Sequence, residues 1–564
     1  MTVGLDYRAT VALDPTPGPT RPRPTQVPTL YAPHAPAHRR TRPTVLRRFL
    51  TNQAVWMVGI GAVALLARWT ALSTAYDIFI DEVTYTNIAA NVAHGHGVTL
   101  YGQPFALHPP AAFGLYALAI MVFGLHGGIE SVLFSLRHVD VVIGSATCVL
   151  TFVLVGRAAS KGVAAGAALL VALDPLAITY DSRVMLEAPA QLAAISMVLL
   201  LAVAADGHRS IASRHRWLGA AGLAGAVVLC TKETFGLVVV LALVCLALTG
   251  WVIARREALA VLGLSLLGYA VSVLAMGLGM GFGVWWHTQI DGVFRLIGTR
   301  QITGFNAPQT HVTFISRVLA DGSTFAVTYL ILGFGMVAAL GLLWRLEPWR
   351  RRQHRRGSRD RLSLLSRSRQ DAHDRVAVLI AVWTISAACY LVYATLLGTI
   401  EEQMYYILLL PSVISLCLWF AGPVGRRSDR WRAVGVVLIC VALAFSTWVW
   451  VGVHSSHDNE YRRLLSWEAV HVPPTAVVAA TDDLSQFLLP RGVIGQWNTV
   501  PELQRHHVDF VVINVGLVDQ GYGLATQSFE RTLERRGRVV FEANGTSDIS
   551  LRVYDVRSIT DPPR

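Results

Sequence analysis

The chain has 564 residues, of which 53% are hydrophobic and only 15% charged, with a mean hydropathy of +0.47; an ordinary soluble domain carries about a quarter charged residues. These figures exclude a string of soluble domains and predict one polytopic helical bundle in a membrane. The formal net charge is +12, carried by 46 arginines and two lysines, Lys161 and Lys232. In a soluble protein that charge would invite nucleic acid, but here it sorts by membrane side, so membrane lipids rather than nucleic acid are the expected surroundings. The six cysteines all lie in apolar segments and form no CxxC pair, which predicts buried free thiols and neither a disulfide framework nor a thiolate metal site.

In chain order, residues 1–50 are rich in proline and arginine and lack any apolar period, so they predict a disordered basic tail. The apolar run 54–73 is too far from the start, behind too much proline, for a cleaved signal and reads as a retained anchor. Further spans are expected at 138–156, 162–180, 188–205, 217–231, 235–254, 258–280, 323–345, 375–397, 404–422 and 433–452, eleven in all. A further run, 111–125, would invert the side of everything after it if it crossed. When it is taken as interfacial or re-entrant, 30 basic residues fall on the N-terminal side and six in the opposite loops, as the positive-inside rule requires. The N-terminus and the polybasic loop 346–374 are therefore expected in the cytoplasm of a bacterium. The loops 74–137 and 281–322, together with residues 454–564, are expected outside the plasma membrane. That last segment alternates β-like runs at 475–480, 508–514, 538–543 and 549–555 with helix-like stretches, which predicts a small extracytoplasmic α/β domain after a catalytic bundle at 51–453.

Polar groups at a membrane boundary are costly, which makes them the default site candidates. The first outer loop offers Asp77, Asp81, Glu82 and Tyr85, then His94-Gly-His96 and His108-Pro109-Pro110. On a helix, Asp81 and Tyr85 share a face, and a carboxylate held there could act as general base toward a hydroxyl. The His94/His96 pair reads as a solvent-exposed turn rather than a metal pair, and Pro109-Pro110 as a helix stop. The other clusters are Asp181, Arg183 and Glu187; Lys232-Glu233; and Glu401-Glu402-Gln403 with Tyr405 and Tyr406. Arg68, inside the first span, is open to snorkelling or to a ligand role. Carboxylates, cations and aromatics gathered at one lipid boundary suit a transferase with a lipid-linked phosphorylated donor. A transporter or lipid flippase is the alternative class.

The Asp81-Glu82-x-x-Tyr85 motif, His108-Pro109-Pro110, Arg137 opening the second span and Ser182-Arg183-x-x-x-Glu187 before the fourth resemble the GT-C superfamily. Within it, the likeness is to glycosyltransferase family 39, the protein O-mannosyltransferases, and to the aminoarabinose transferases. It extends over residues 54–452 and includes the glycine-rich span leading into Lys232 and Tyr405-Tyr406 ahead of Pro411. The resemblance implies a GT-C-like fold and inverting transfer of a sugar from a polyprenyl-phosphate donor to an acceptor protein, lipid or glycan on the outer face. Asp81 would be the base, with Glu82 supporting it. Arg183 and Lys232 would meet the carrier phosphate, and Tyr85, His108, Arg137, Asp181, Glu187, Glu402, Tyr405 and Tyr406 would complete substrate binding. No cofactor is required; the carboxylates could hold a divalent cation, though no ligand spacing demands one. Two positions depart from the pattern: Glu187 stands where many mannosyltransferases have aspartate, and Gln403 where the aminoarabinose group is often basic.

Overall fold

The computed structural model describes residues 52–206, 210–297 with 299, 313–348, 364–397, 401–421, 429–521, 524–545 and 550–560. The expected tail at 1–50, and Arg350 to Arg361 of the polybasic loop, lie outside the described residues.

The chain opens with α1 (Gln53–Trp69) and α2 (Ile80–Ala93), then a hairpin of β1 (Thr99–Leu100) and β2 (Gln103–Pro104), and α3 (Ala111–Phe123). Next come α4 (Ile129–Val155), α5 (Lys161–Leu173), α6 (Pro175–Asp181), α7 (Glu187–Ala204), α8 (Ile211–Thr231), α9 (Glu233–Thr249) and α10 (Arg255–Met280). The bundle continues through α11 (Phe282–Leu296), α12 (Phe314–Ala320), α13 (Gly322–Leu346), α14 (Leu364–Leu396), α15 (Met404–Ala421) and α16 (Asp429–Ser455). Each of the eleven expected spans is helical. By length and composition, seven helices among the described residues could cross a membrane, or eight if α5 and α6 count as one span bent by 61°. The bend has a local cause: Asp174 leaves the helical conformation and accepts a hydrogen bond from the Ala177 amide, with Pro175 at the first position of α6. The apolar helices α1 and α9 are shorter, at 17 residues each.

Helix α3, the ambiguous run, has 13 residues and ends on left-handed Gly124. At about 1.5 Å per residue it reaches only ~20 Å, short of a ~30 Å hydrocarbon core. Pro110 sits at its N-cap, so the prolines precede this helix instead of stopping one. Of the cysteines, Cys148 and Cys417 are buried as expected, whereas Cys389 and Cys440 are exposed on helix surfaces. In an apolar helix the surface faces lipid, so the apolar setting of a thiol says nothing about protein burial. Leu267, Val271 and Leu278 of α10 are likewise exposed.

Beyond the bundle lie α17 (Glu460–His471), β3 (Val477–Ala480), α18 (Asp483–Leu488), β4 (Val493–Gly495), α19 (Val500–Arg505), β5 (Phe510–Asn514), α20 (Val515–Gln520), α21 (Gln527–Arg536), β6 (Arg538–Asn544), β7 (Ser550–Asp555) and α22 (Arg557–Thr560). They build one sheet in the order β4-β3-β5-β7-β6, parallel across β4, β3 and β5 and antiparallel across β5, β7 and β6. All five residues of β5 are buried, as a continuous apolar run in a central strand requires. The four expected strands are present, and β4, three residues long, is an addition. This α/β region packs with the bundle as a single compact unit.

Candidate active site

The site starts at the N-terminus of α2. Phe79 is the N-cap, and its amide donates to Glu82 Oε2 at 3.1 Å. One turn of helix then sends the neighbouring carboxylates in different directions. Glu82 points inward and is fully buried, forming a two-pronged pair with Arg137 of α4 (Nε to Oε1 2.9 Å, Nη2 to Oε2 2.7 Å) and accepting from the Val184 amide at 2.9 Å. Arg137 spends its remaining donors on the carbonyls of Leu72, Tyr76 and Asp77. Both oxygens of Glu82 and the whole Arg137 fork are thus used inside the protein. The sequence-based roles of catalytic support for Glu82 and substrate contact for Arg137 give way to a staple joining α2, α4 and the turn before α7.

Asp81 points the other way and is half-buried. Tyr85 lies one turn on along α2, four residues from Asp81, and burial, the larger influence, raises its hydroxyl pKa together with the Asp81 charge. The electrostatic neighbours of Asp81 are Lys232, Glu401, Glu187 and His108. Burial, the largest influence, pushes its carboxyl up to about 6; Glu401 and Glu187 add to the rise, while Lys232 and His108 oppose it. Lys232 is the single extended residue between α8 and α9, so a sharp turn delivers its ammonium into the cluster. There it pairs with the buried carboxylate of Glu187 at the start of α7 and lies 3.5 Å from Gln403 Oε1. Gln403 in turn donates to Glu401. His108 faces Glu233 at 3.5 Å and sets its ring edge-on to Tyr85, with centroids 5.9 Å apart.

Arg183 stands at the rim, its guanidinium over the rings of Tyr76 and Phe79 at 5.6 and 5.5 Å. Its Nε is buried without a hydrogen-bond partner, and among the described residues no acid pairs with it. Beneath the site, Asp181 accepts from the fully buried Arg68 at 2.9 Å and from the Tyr406 hydroxyl at 2.5 Å. Gly144 permits this approach, since a Cβ there would lie 2.4 Å from the Asp181 carboxyl carbon. Arg68 therefore neither snorkels nor faces a ligand. It is the counter-charge of Asp181, and it also donates to the Ala172 carbonyl.

The structure thus brings Asp81, Tyr85, His108, Glu187 and Lys232 together, with Arg183 at the edge. It places Asp181 and Tyr406 in the layer below. Glu402 lies opposite Arg317 at 3.4 Å and Tyr405 edge-on to Tyr329 at 5.7 Å, in a neighbouring cluster with α12 and α13. Glu401 and Gln403, rather than Glu402, are the members of this acidic stretch that join the Asp81 cluster. The run marked the place, but the turn ahead of α15 chooses among its members. Among the described residues no three His, Cys, Asp or Glu side chains are arranged to hold a metal ion.

Beside the polar cluster runs an apolar groove of about 800 Å³ lined by residues such as Trp69, Ala111, Leu115, Val142, Pro189, Leu192, Val227 and Thr231. Thr231 precedes Lys232 and Pro189 lies two residues past Glu187, so α7 and α8 contribute to both the groove and the charged cluster.

The fold is that of solved membrane glycosyltransferases, and part of the chain matches a family of them. Residues 59–276 match the family described as dolichyl-phosphate-mannose-protein mannosyltransferase. The fold is similar to that of ArnT from Cupriavidus metallidurans bound to undecaprenyl phosphate, with a TM-score of 0.54 at 14% identity over 90% of this chain and 99% of that one. It is also similar to the oligosaccharyltransferase AglB from Archaeoglobus fulgidus in complex with an inhibitory peptide and a dolichol-phosphate, with a TM-score of 0.52 at 12% identity over 90% and 77% of the two chains. No curated protein sequence matches the chain.

Proposed function

We propose that the protein transfers a sugar from a polyprenyl-phosphate carrier to an acceptor hydroxyl on the outer face of a bacterial plasma membrane, with inversion at the anomeric carbon and Asp81 as general base. The observation that carries this reading is the half-buried Asp81, set among Lys232, Glu187, Glu401 and His108, in a bundle that also holds an apolar groove lined by α7 and α8. The groove suits a prenyl chain, and the pocket suits the head of the same molecule. That ArnT and AglB have been solved with polyprenyl phosphates supports this choice of donor.

In the reaction, Asp81 takes the proton of the acceptor hydroxyl as its oxygen forms a bond to the anomeric carbon. The bond from that carbon to the phosphate oxygen breaks, and the electron pair leaves with the carrier phosphate. A phosphate is a good leaving group, so no general acid is needed. Arg183, with a buried Nε lacking a protein partner, is the cation best placed to receive the phosphate. Lys232 is already engaged by Glu187, and its role is to keep Asp81 ionised among Glu187 and Glu401. Glu82 and Arg137 fix the helix that carries the base, while Arg68, Asp181 and Tyr406 support the floor.

The test is incubation of the purified full-length protein with radiolabelled polyprenyl-phosphate sugars and a panel of peptide, lipid and glycan acceptors. Release of polyprenyl phosphate coupled to labelling of an acceptor is expected. Movement of the intact lipid across vesicles with no cleavage would instead establish a flippase.

A further inference from the structure

The region that follows the bundle, from Asp458 to Asp555, has no part in the chemistry above, yet it holds the Asp81 segment on both sides. Ahead of α2, the Asp458 amide donates to the Thr74 carbonyl at 2.9 Å, and the Tyr461 amide donates to Asp77 Oδ2 at 3.1 Å. Behind α2, the tip of the β1–β2 hairpin stacks Tyr101 on Phe487 of α18, with ring centroids 3.8 Å apart and planes within 15°. Helix α18 also packs on α2 itself, and Asn91 of α2 ties to the hairpin by donating to the Thr99 carbonyl at 2.9 Å.

The hairpin tip is costly as built. Its two loop residues, Tyr101 and Gly102, both have positive φ, +56° and +74°. A two-residue turn of that kind favours Asn, Asp or Gly at both positions. A bulky aromatic in the left-handed region is an outlier that persists only where its surroundings hold it, and such outliers cluster at functional sites. Half of the Tyr101 surface remains exposed, at 51%, so burial of its ring does not account for the choice. The stack on Phe487 does.

We infer that Tyr101 and Phe487 form a latch through which the C-terminal α/β region holds α2, and hence Asp81, in register with Lys232 and Arg183. Tyr101 and Phe487 are positioning residues: they touch no reacting atom, and their effect reaches the site through the hairpin and α2. Misplacement of a reacting group by about 1 Å costs roughly 10²-fold in rate, so loosening this joint lowers kcat and leaves the carrier KM nearly unchanged. The inference rests on the transferase reading for its kinetic arm and on the structure alone for its dynamic arm.

The experiment compares Tyr101→Asn, Tyr101→Phe and Phe487→Ala in the full chain. Asparagine suits the turn better than tyrosine, so Tyr101→Asn keeps or improves the hairpin while removing the stack. The expected results for Tyr101→Asn and Phe487→Ala are faster amide hydrogen exchange across Ile80–Ala93, a tenfold or greater fall in kcat and an unchanged thermal midpoint, with Tyr101→Phe restoring both readouts. Wild-type exchange in α2 for Tyr101→Asn and Phe487→Ala would overturn the latch whatever the reaction is. Faster exchange with wild-type kcat would overturn its positioning role. Absence of transfer by the wild-type chain, with α2 exchange rising as expected, would count against the transferase reading and leave the latch standing.

Discussion

Asp81 and Glu82 are adjacent residues of one chemical type on the first turn of α2, and their surroundings are opposites. Glu82 is fully buried with every strong contact supplied by Arg137 and two backbone amides. Asp81 is half-buried and set among charges of both signs, and burial above all raises its carboxyl to about 6. A carboxylate whose acceptor sites are all filled from within holds a fold, whereas one with unfilled sites in a partly desolvated pocket can take a proton. Chemical type and sequence position alone do not separate the two roles; the direction in which each side chain leaves the helix does.

The comparison can be broken most forcefully at Asp81. The variant Asp81→Asn keeps shape and hydrogen bonding but cannot take a proton, so a loss of about 10²–10⁴-fold in kcat is expected, with yield and thermal midpoint unchanged. On the other side of the helix, Arg137→Ala strands Glu82 as an uncompensated buried charge. That change costs about 3–5 kcal/mol, read as a large fall in thermal midpoint or in recovery of folded protein. If Arg137→Ala folds normally and fails only in donor binding, Arg137 belongs to the substrate after all.

Lys232 sharpens the contrast in degree. Replacing it with glutamine retains a hydrogen-bond donor for Glu187 but removes the positive charge facing Asp81, leaving Glu187 and Glu401 unopposed. The acid limb of the rate profile should move to higher pH by about one unit, and an unmoved limb would place Lys232 outside the electrostatics of the base. The smallest effect lies at the joint with the α/β region. Burial, the largest influence at both sites, raises Asp77 to about 6 and Glu460 to about 7, Asp458 adding to each and Arg137 opposing the rise at Asp77. Both groups hold protons in the folded chain that the unfolded chain releases near pH 4. Stability is therefore greatest below that value and falls as pH rises through about 7. Glu460→Gln should flatten this slope, which thermal melts across pH 4–8 would show.

Much of the fold could be read from the sequence because its signals are periodic and local. Each expected apolar run falls on helix, although α4 and α14 begin well before the expected bounds of 138 and 375. The strand β4 escaped because three residues, Val493 to Gly495, carry no recognisable period. At the site, the local spacing of Asp81 and Tyr85 was legible, since four residues on a helix make one face. The partners of Glu82, Arg68 and Asp181 were not. Arg137 reaches Glu82, and Arg68 reaches Asp181, across more than fifty residues in each case, and nothing in the linear pattern distinguishes a buried ion pair from a pair of ligands. Glu401 and Glu402 likewise sit in the turn ahead of α15, where adjacent side chains reach different clusters.

The proton-accepting role of Asp81 is tested most directly by the pH dependence of kcat/KM for transfer from a polyprenyl-phosphate sugar. A base that must be ionised, with its carboxyl near 6, gives a rate that rises about tenfold per pH unit below 6 and levels off above it. A rate that stays flat between pH 4.5 and 7.5, or that falls as pH rises through 6, would contradict it.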